Sequence, residues 1–564
     1  MRKNFTAIFL GLILLAGFSI KKSATHSSMP APTEGDENQE KRRKYFELIH
    51  RAAPGTDWQQ IEAENARQIR ALKESFSDDP ARLGDYSFAN GVVQGDWEER
   101  GSDNQAGNVR AVAYDSLTDN LYVVSDGGSL WKRPLSSGTW TLQNNVFRFR
   151  NSIINLVHKP DNSERILLVS DGRVYYTDNE GATMVASAGF NFPVSWGGNQ
   201  VVAIASVNDA SKSIYCLARV WDNVPWQPRY WVYRSTDLGL SFTKIHSFSH
   251  GDDGLLYMNK MYNSNQVYFL DSRSTTANID LWTVNGSTVN LVNSVTSTES
   301  GKKCILKSTL IGASPVFYAL FENKRLYRSA NNGASWTFQS TLTETSWDRL
   351  EVSNTDPQKV YYGGVDAYRS TDGGVSFIRV NGWAEYYSDP QNKLHADMME
   401  FASFHRGNGS SFMIINNHGG CYISNNDMVS NTNLSMAGLR TAQYYDVLTD
   451  QRQPNRLFAG SQDQGFQRNL TATSPGVLDF VQVISGDYGY LALSGNPYHL
   501  WTQYPGGALY YYNNPSAGLS SNWTMPGSQL PNYGWMIPVV NTAFSQTENE
   551  VWMAGGNIKG GTGS

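Results

Sequence analysis

The chain has 564 residues, of which 17% are charged, 12% are aromatic and 50 are glycine. This length exceeds that of one ordinary domain, and the composition is typical of a β-rich protein with many tight turns rather than of a helical or disordered chain. The formal net charge is −5 and no basic stripe occurs, which excludes nucleic acid as an expected partner.

The amino terminus has the features of a secretory signal. Arg2 and Lys3 precede an apolar run over residues 5–20, and polar residues follow from Lys21. This run is short for a transmembrane helix and no later segment is apolar enough. The sequence therefore predicts a signal peptide over residues 1–22, no transmembrane segment, and a secreted or cell-surface protein.

Residues 23–90 are expected to form a disordered linker and a helical pre-domain. The linker is rich in Ser, Pro and Thr. Apolar residues then recur at helical spacing over residues 40–77, with Pro54 and Gly55 between two helical segments. Thr56 or Asp57 would cap the second helix.

A short pattern, S-x-D-x-G-x-S-[W/F], recurs after aromatic strand-like runs. Full copies occupy residues 235–242 and 370–377, a copy with Asn occupies 329–336, and a looser copy occupies 177–184. The acidic or amide side chain can accept N–H groups of its own turn, and the Gly supplies a positive φ. The pattern therefore predicts structural turns rather than catalytic groups. The third positions are Asn179, Asp237, Asn331 and Asp372.

These turns resemble the Asp-box, or BNR repeat, of sialidase-like and sortilin-like propellers. The resemblance implies an all-β β-propeller with blades repeating at a period of roughly 40 to 58 residues. Seven blade-like units occupy residues 91–437, and three more, the last incomplete, occupy residues 438–564. We expect a seven-bladed ring followed by the start of a truncated second propeller. The alternative is one ten-bladed sortilin-like ring.

Two aspartates lie at strand ends outside the boxes, Asp126 within residues 122–132 and Asp463 within residues 457–467. Here the chain resembles two-propeller xyloglucan-cleaving endoglucanases. The resemblance implies that Asp126 is the general base and Asp463 the general acid of an inverting hydrolysis, roughly 6.5–9.5 Å apart. The Gln-Asp-Gln-Gly sequence around Asp463 departs from the family's Gly-Asp-x-Gly-Gly. The alternative is that both aspartates hold turns.

Histidine and acidic residues mark a third stretch. His395 and Asp397 precede one strand, and His418 stands where exported Asp-box proteins commonly have Asp at the end of the next strand. We expect His395 and Asp397 to form a hydrogen-bonded pair that lines the central channel. A metal would need a third ligand, for which His418 is the only candidate nearby in sequence, so no metal or cofactor is predicted. Asp487 lies in a similar loop.

Aromatic loop segments are the candidate ligand contacts. Flat rings on loops suit sugars or peptides, although packing between blades is the alternative. The candidates are Trp221, Trp226 and Trp231 in a Pro-rich insert, together with Trp383 and Tyr386.

The sequence favours an exported binding protein for a polysaccharide or a protein. An inverting, endo-β-glucanase-like hydrolase is the alternative. The signal, helical segment and propeller also resemble secreted Bacteroidetes propeller proteins, which usually end in a sorting domain. Cys216, Cys304 and Cys421 are expected to be buried apolar residues, with one disulfide as the alternative.

Overall fold

The computed structural model describes residues 98–553 except 137, 146, 148–152, 171, 193–198, 224–225, 253, 263, 274–276, 344–348, 451–452, 496–498, 525–534 and 542–550. The signal, linker and helical pair expected before residue 91 lie outside the described residues. No helix in the described part of the chain is both long and apolar enough to cross a membrane.

The first seven sheets each contain four antiparallel strands. Blades one to three comprise β1 (Val109–Asp115), β2 (Asn120–Ser125), β3 (Leu130–Pro134), β4 (Thr141–Asn144), β5 (Ile153–His158), β6 (Glu164–Ser170), β7 (Arg173–Thr177), β8 (Val185–Ala186), β9 (Gln200–Ser206), β10 (Ile214–Asn223), β11 (Trp226–Ser235) and β12 (Thr243–Ser247). Blades four and five comprise β13 (Leu256–Lys260), β14 (Val267–Asp271), β15 (Asn278–Asn285), β16 (Thr288–Thr296), β17 (Cys304–Ile311), β18 (Ser314–Phe321), β19 (Arg325–Ser329) and β20 (Thr337–Thr341). Blades six and seven comprise β21 (Arg349–Val352), β22 (Val360–Gly363), β23 (Ala367–Ser370), β24 (Ile378–Arg379), β25 (Met398–His405), β26 (Ser411–Asn417), β27 (Gly420–Ser424) and β28 (Thr432–Asn433), with a 3₁₀ helix at Trp383–Ser388 between them.

The remaining strands follow the same order along the chain. They are β29 (Tyr444–Asp450), β30 (Gln453–Ser461), β31 (Gly465–Asn469) and β32 (Val481–Ile484), then β33 (Gly489–Ser494), β34 (His499–Tyr504), β35 (Ala508–Tyr512) and β36 (Ser521–Thr524), and the pair β37 (Val539–Asn541) and β38 (Val551–Met553). Blades eight and nine are thus complete four-stranded sheets, and they contact one another through β29 and β33.

The middle strands of the blades are buried on both faces. Every residue of β14, β22 and β27 is buried, whereas β24 and β36 are exposed throughout. Because each blade is covered by a neighbour on either side, its middle strands are continuous apolar runs rather than alternating ones. This arrangement explains why the sequence signals blades by runs such as Ile166–Val169.

Blade one packs directly against blade seven and closes the ring. Strand β1 contacts β25 and β26, and one apolar cluster contains Val112 and Trp131 of blade one with Ile414 and Cys421 of blade seven. The Trp140 indole N–H donates to the Leu434 carbonyl at 2.8 Å. Of the two predicted arrangements, the structure therefore has the seven-bladed ring followed by further blades. All three cysteines are free and buried, as the sequence predicted.

The segment before β1 joins the ring to blade eight. The Asp103 amide donates to the Leu478 carbonyl at 2.9 Å, and the Asn104 side chain donates to the Phe480 carbonyl at 3.1 Å. Arg440 forms ion pairs with Glu99 and Asp103. Residues 98–107, which we call the bridging segment, therefore contact blade eight before the chain enters blade one.

Each copy of the recurring S-x-D-x-G-x-S pattern, which we call a box, forms the expected turn. In the clearest copy, Ser370 Oγ donates to Asp372 Oδ1 at 2.7 Å and accepts from the Gly374 amide at 2.9 Å. Asp372 also accepts the Ser376 amide at 3.0 Å. Partial burial raises the pKa of Asp372, but hydrogen bonds from Ser376, Ser370 and Val375 outweigh it and hold the pKa at about 2. Asn179, Asp237 and Asn331 bind the matching serine or threonine groups of their own turns.

The structure contains a fifth box that the sequence pattern missed. Ser424 Oγ accepts the Met428 amide at 2.9 Å, and Asn426 accepts the Ser430 amide at 3.0 Å. Met428 stands where the other boxes have Gly and takes a φ of 58°. The Ser-x-Asn-x-x-x-Ser spacing could have identified this box, but the pattern also required a Gly that is absent here.

The box glycines lie in close contact with side chains of the preceding blade. A Cβ added at Gly374 would lie 2.6 Å from Leu326 Cδ2, and one at Gly333 would lie 2.6 Å from Leu281 Cδ2. In the fifth box the Met428 side chain is buried and packs with Tyr361 of blade six instead. The boxes therefore contribute to blade-to-blade contact as well as to turns.

We expect Gly374→Ala to lower the free energy of unfolding by about 2 kcal/mol more than Gly409→Ala. The two glycines have φ values of 85° and 83°, but a Cβ at Gly409 meets nothing within 4 Å. The control therefore measures the backbone cost alone, and the difference measures the contact with Leu326. Denaturant unfolding of both variants tests this, and equal losses would contradict the blade-to-blade role.

Polar side chains pair on and beside the first strands of the blades. Lys307 of β17 lies 2.7 Å from Glu351 of β21 in the next blade, and Asn416 of β26 donates to Glu400 of β25 in the same blade at 3.1 Å. Burial raises the pKa of Glu400 to about 7, although Lys307, Asn416 and Arg349 oppose the shift. Glu400 therefore binds a proton more tightly in the folded protein than in the unfolded chain.

This raised pKa predicts a stability contribution that is present below the carboxyl group's unfolded pKa and is lost as pH rises through about 7. We expect Glu400→Gln to have little effect at pH 5 and to raise the free energy of unfolding by about 2 kcal/mol at pH 8.5. The exposed Glu385→Gln variant is the control, and its difference from the parent should not grow over this interval. A Glu400→Gln difference that is constant with pH would contradict the prediction.

Candidate functional site

Turns from blades seven and eight meet and bring together two carboxylates and one imidazole. His418 lies in the turn between β26 and β27, and Asp463 lies in the corresponding turn between β30 and β31. Asp397 immediately precedes β25. We call Asp397, His418 and Asp463 the seam cluster, because the first two belong to the ring and the third to the blades that follow it.

The seam cluster is buried and closely spaced. His418 Nδ1 lies 2.7 Å from Asp463 Oδ2 and 3.3 Å from Asp397 Oδ2. The side chains of Asp397, His418 and Asp463 are 6%, 5% and 12% exposed. Asp397 and Asp463 also have left-handed backbones, with φ values of 63° and 62°. Such a conformation is costly for a residue other than glycine and is retained where the surrounding structure enforces it.

Further polar groups hold the turn that carries Asp463. The Asp463 amide donates to Asp487 Oδ1 at 3.1 Å, and the Tyr445 hydroxyl donates to the same oxygen at 3.3 Å. On the other side, the Tyr386 hydroxyl donates to Gln464 Oε1 at 3.3 Å. The predicted site residues Asp487 and Tyr386 are thus buried supports of this turn rather than surface groups.

His395 lies beside the seam cluster as a neutral ring. Its ring centroid is 4.7 Å from that of Tyr386, and burial lowers the pKa of His395 to about 4. A Cβ added at Gly419 would lie 2.4 Å from the Cβ of His395. The glycine after His418 therefore permits His395 to approach the β26–β27 turn.

The expected pairing of His395 with Asp397 needs correction. The imidazole nitrogen within 3.3 Å of Asp397 belongs to His418, while Nδ1 of His395 lies 3.1 Å from the Ala396 carbonyl. In an extended strand, residues two apart share a face, but Asp397 is left-handed and so breaks that relationship. The third member of the cluster, Asp463, could not be inferred from sequence proximity.

The other candidate carboxylate, Asp126, lies in the turn between β2 and β3 and forms an ion pair with Arg110. Gln443 Nε2 donates to Asp126 Oδ2 at 3.4 Å, and the Gln443 carbonyl accepts the Gln462 amide at 2.8 Å. Asp126 and Asp463 therefore occupy equivalent turns of blades one and eight and are connected through Gln443. Each carboxylate nevertheless has its own protein partner, Arg110 for Asp126 and His418 for Asp463.

The aromatic insert expected as a loop belongs to a hairpin. Residues 221–223 end β10 and residues 226–231 begin β11, and Trp221 pairs with Pro228 across the two strands. Trp231 is buried, and Lys244 Nζ lies 3.7 Å from its ring centroid. Trp221 is half-buried, and the side chain of Trp226 lies outside the described residues.

Trp383 and Tyr386 lie in the 3₁₀ helix rather than in an open loop. Trp383 is half-buried, with its ring centroid 6.2 Å from that of Tyr387. Tyr386 is 3% exposed. The buried rings of Trp231 and Tyr386 correspond to the packing alternative that the sequence left open.

Solved structures with similar folds include two GH74 enzymes. The enzyme from Niastella koreensis is 13% identical, with 78% of this chain and 69% of that chain covered and a TM-score of 0.52. An ancestral GH74 enzyme is 15% identical, with 76% and 63% covered and a TM-score of 0.55. These values show a shared β-propeller fold. No protein-family model matches the sequence, and neither does any curated protein.

A third solved structure is PorZ of Porphyromonas gingivalis, a bacterial surface component of the type-IX secretion system. It is 9% identical, with 81% of this chain and 57% of that chain covered and a TM-score of 0.45.

Proposed function

We propose that the protein is an exported binding protein whose ligand is a polysaccharide, with a protein ligand as the second possibility. This proposal rests on one observation: each of the two candidate carboxylates is already paired with another side chain of the protein. Asp126 is paired with Arg110, and Asp463 with His418. An inverting hydrolase needs one carboxyl group to protonate the leaving oxygen and the other to activate water, so both must face the substrate.

Access to the two carboxylates also favours binding over hydrolysis. The Asp463 side chain is only 12% exposed, whereas that of Asp126 is 29% exposed. A sugar chain at the seam would reach Asp126, Arg110 and Gln443 before Asp463. Arg110 and Gln443 supply N–H donors that suit hydroxyl or carbonyl acceptors of a ligand.

The polysaccharide assignment draws on the fold and on exposed aromatic surface. The chain shares its propeller fold with GH74 glycoside hydrolases. In blade nine the indole of Trp523 is 50% exposed and stacks on Trp501 with ring centroids 5.6 Å apart. An exposed indole face held by a second ring suits the flat face of a sugar at small entropic cost.

Hydrolysis by an inverting mechanism is the second candidate. It is favoured by the equivalent positions of Asp126 and Asp463 in blades one and eight and by their connection through Gln443. Asp463 would be the acid and Asp126 the base. In this case substrate binding must release Asp463 from His418 and Asp126 from Arg110.

We expect the full-length protein to bind a β-glucan such as xyloglucan without releasing reducing ends. Asp126→Asn and Asp463→Asn should leave hydrolysis at background, and Trp523→Ala should weaken binding by about tenfold through loss of a stacking face. Affinity electrophoresis on a panel of β-glucans measures binding, and a reducing-end assay measures hydrolysis. Asp161→Asn, on an exposed turn, is the matched control for the two Asp→Asn variants.

Two results would contradict this proposal. Hydrolysis that disappears in both Asp126→Asn and Asp463→Asn would establish the inverting enzyme. Failure of the parent protein to bind any polysaccharide in the panel would remove the polysaccharide ligand and leave a protein ligand.

A further inference from the structure

We propose that the seam cluster is a binding site for one divalent transition-metal ion, which joins the seven-bladed ring to blade eight. The three donor atoms are His418 Nδ1 and one carboxylate oxygen each from Asp397 and Asp463. All three lie within 4.8 Å of one another, and the three side chains are at most 12% exposed. They come from three separate segments of the chain, two in the ring and one beyond it.

The spacing of the donors fits a metal shell. The distances from His418 Nδ1 to Asp463 Oδ2 and Asp397 Oδ2 are 2.7 and 3.3 Å. Nitrogen and oxygen ligands bind Zn²⁺ at about 2.0–2.2 Å, which places neighbouring donors roughly 3.0–3.5 Å apart. The two distances from Nδ1 are therefore close to this value, and the two carboxylate oxygens lie within 4.8 Å of each other.

The charge of the seam cluster is a second reason to expect a divalent ion there. Burial of two carboxylates is costly unless positive charge accompanies them. A protonated His418 would carry one positive charge, whereas a divalent ion carries two and balances Asp397 and Asp463 together. Metal binding would displace the Nδ1 proton, because only the neutral ring offers a nitrogen lone pair.

The donor set also limits which ion can bind. One imidazole nitrogen with two carboxylate oxygens suits Zn²⁺ or Mn²⁺. Calcium prefers six to eight oxygen ligands, and soft ions such as Cu(I) prefer sulfur. Asp487 orients the Asp463 turn by accepting its amide at 3.1 Å, as an outer partner of a metal ligand would.

The site predicts that the ion stabilises the junction rather than reacting with a substrate. The cluster residues are at most 12% exposed, so a large ligand has little access. Two ligands belong to blade seven and its approach segment, and the third belongs to blade eight. The ion would therefore oppose separation of blade eight from the closed ring.

The experiment uses the full chain after treatment with a chelator and dialysis. Zn²⁺ and Mn²⁺ are added separately, the bound ion is counted by mass spectrometry, and affinity is measured by calorimetry. We expect one ion per chain and a rise in Tm on binding. His418→Gln, Asp397→Asn and Asp463→Asn should each weaken binding by more than about tenfold and abolish the rise in Tm.

His250→Gln is the matched control. His250 is also buried beside aspartates, with Nε2 3.0 Å from Asp271 and Nδ1 3.7 Å from Asp252. Those carboxylates contact opposite ring nitrogens, so one ion cannot bind all three groups. This variant should lower stability while retaining one ion per chain.

Two outcomes would overturn the metal site. The first is that the parent chain binds neither ion, in which case the cluster is a hydrogen-bonded Asp–His–Asp contact. The second is that an ion binds but the affinity is unchanged in all three cluster variants. Because Asp463→Asn lies in a turn and preserves shape, it remains informative if the His418 variant fails to fold.

Discussion

The contact between blade one and blade seven is the constraint on which the rest of the structure depends. Each blade has buried middle strands that are apolar on both faces, so an unclosed ring would expose two large apolar surfaces. Closure covers both through the cluster around Trp131 and Ile414. The residues that meet there are about as far apart in the chain as the ring allows, since Arg133 bonds to a carbonyl 301 residues away.

Closure also determines where the ring can meet blade eight. Blade seven packs between blades one and six, and His418 in its β26–β27 turn contacts Asp463 of blade eight. The boxes lie elsewhere, on the turns between third and fourth strands, where their serines and acidic or amide groups hydrogen-bond to one another. Their glycines press on the preceding blade. They recur in blades two, three, five, six and seven, where each contacts the preceding blade, and this repetition separates them from the residues of the seam.

Local patterns predicted the fold, whereas the site required tertiary contacts. The sequence placed the blades and four boxes because hydrogen bonds within a turn and runs of buried residues are short-range signals. The fifth box was not predicted because it has Met428 where the pattern requires Gly. The strand segments around Trp221 and Pro228 were predicted as a loop because Pro is uncommon within strands. His418 and Asp397 were singled out in one stretch of sequence, with His418 as the candidate third ligand of a metal. Their contact with Asp463, 45 residues beyond His418, arises only when blade eight docks on the ring.

The bridging segment has a consequence for how the nascent chain matures. Asn104 hydrogen-bonds to a carbonyl 376 residues later. At roughly 5–20 residues per second, synthesis of that interval takes about 20 to 75 s. All seven blades emerge within this interval, so the ring can close while the bridging segment still lacks its partner. The segment that leads into blade one therefore gains these hydrogen bonds only once blade eight, which follows the ring in the chain, is present.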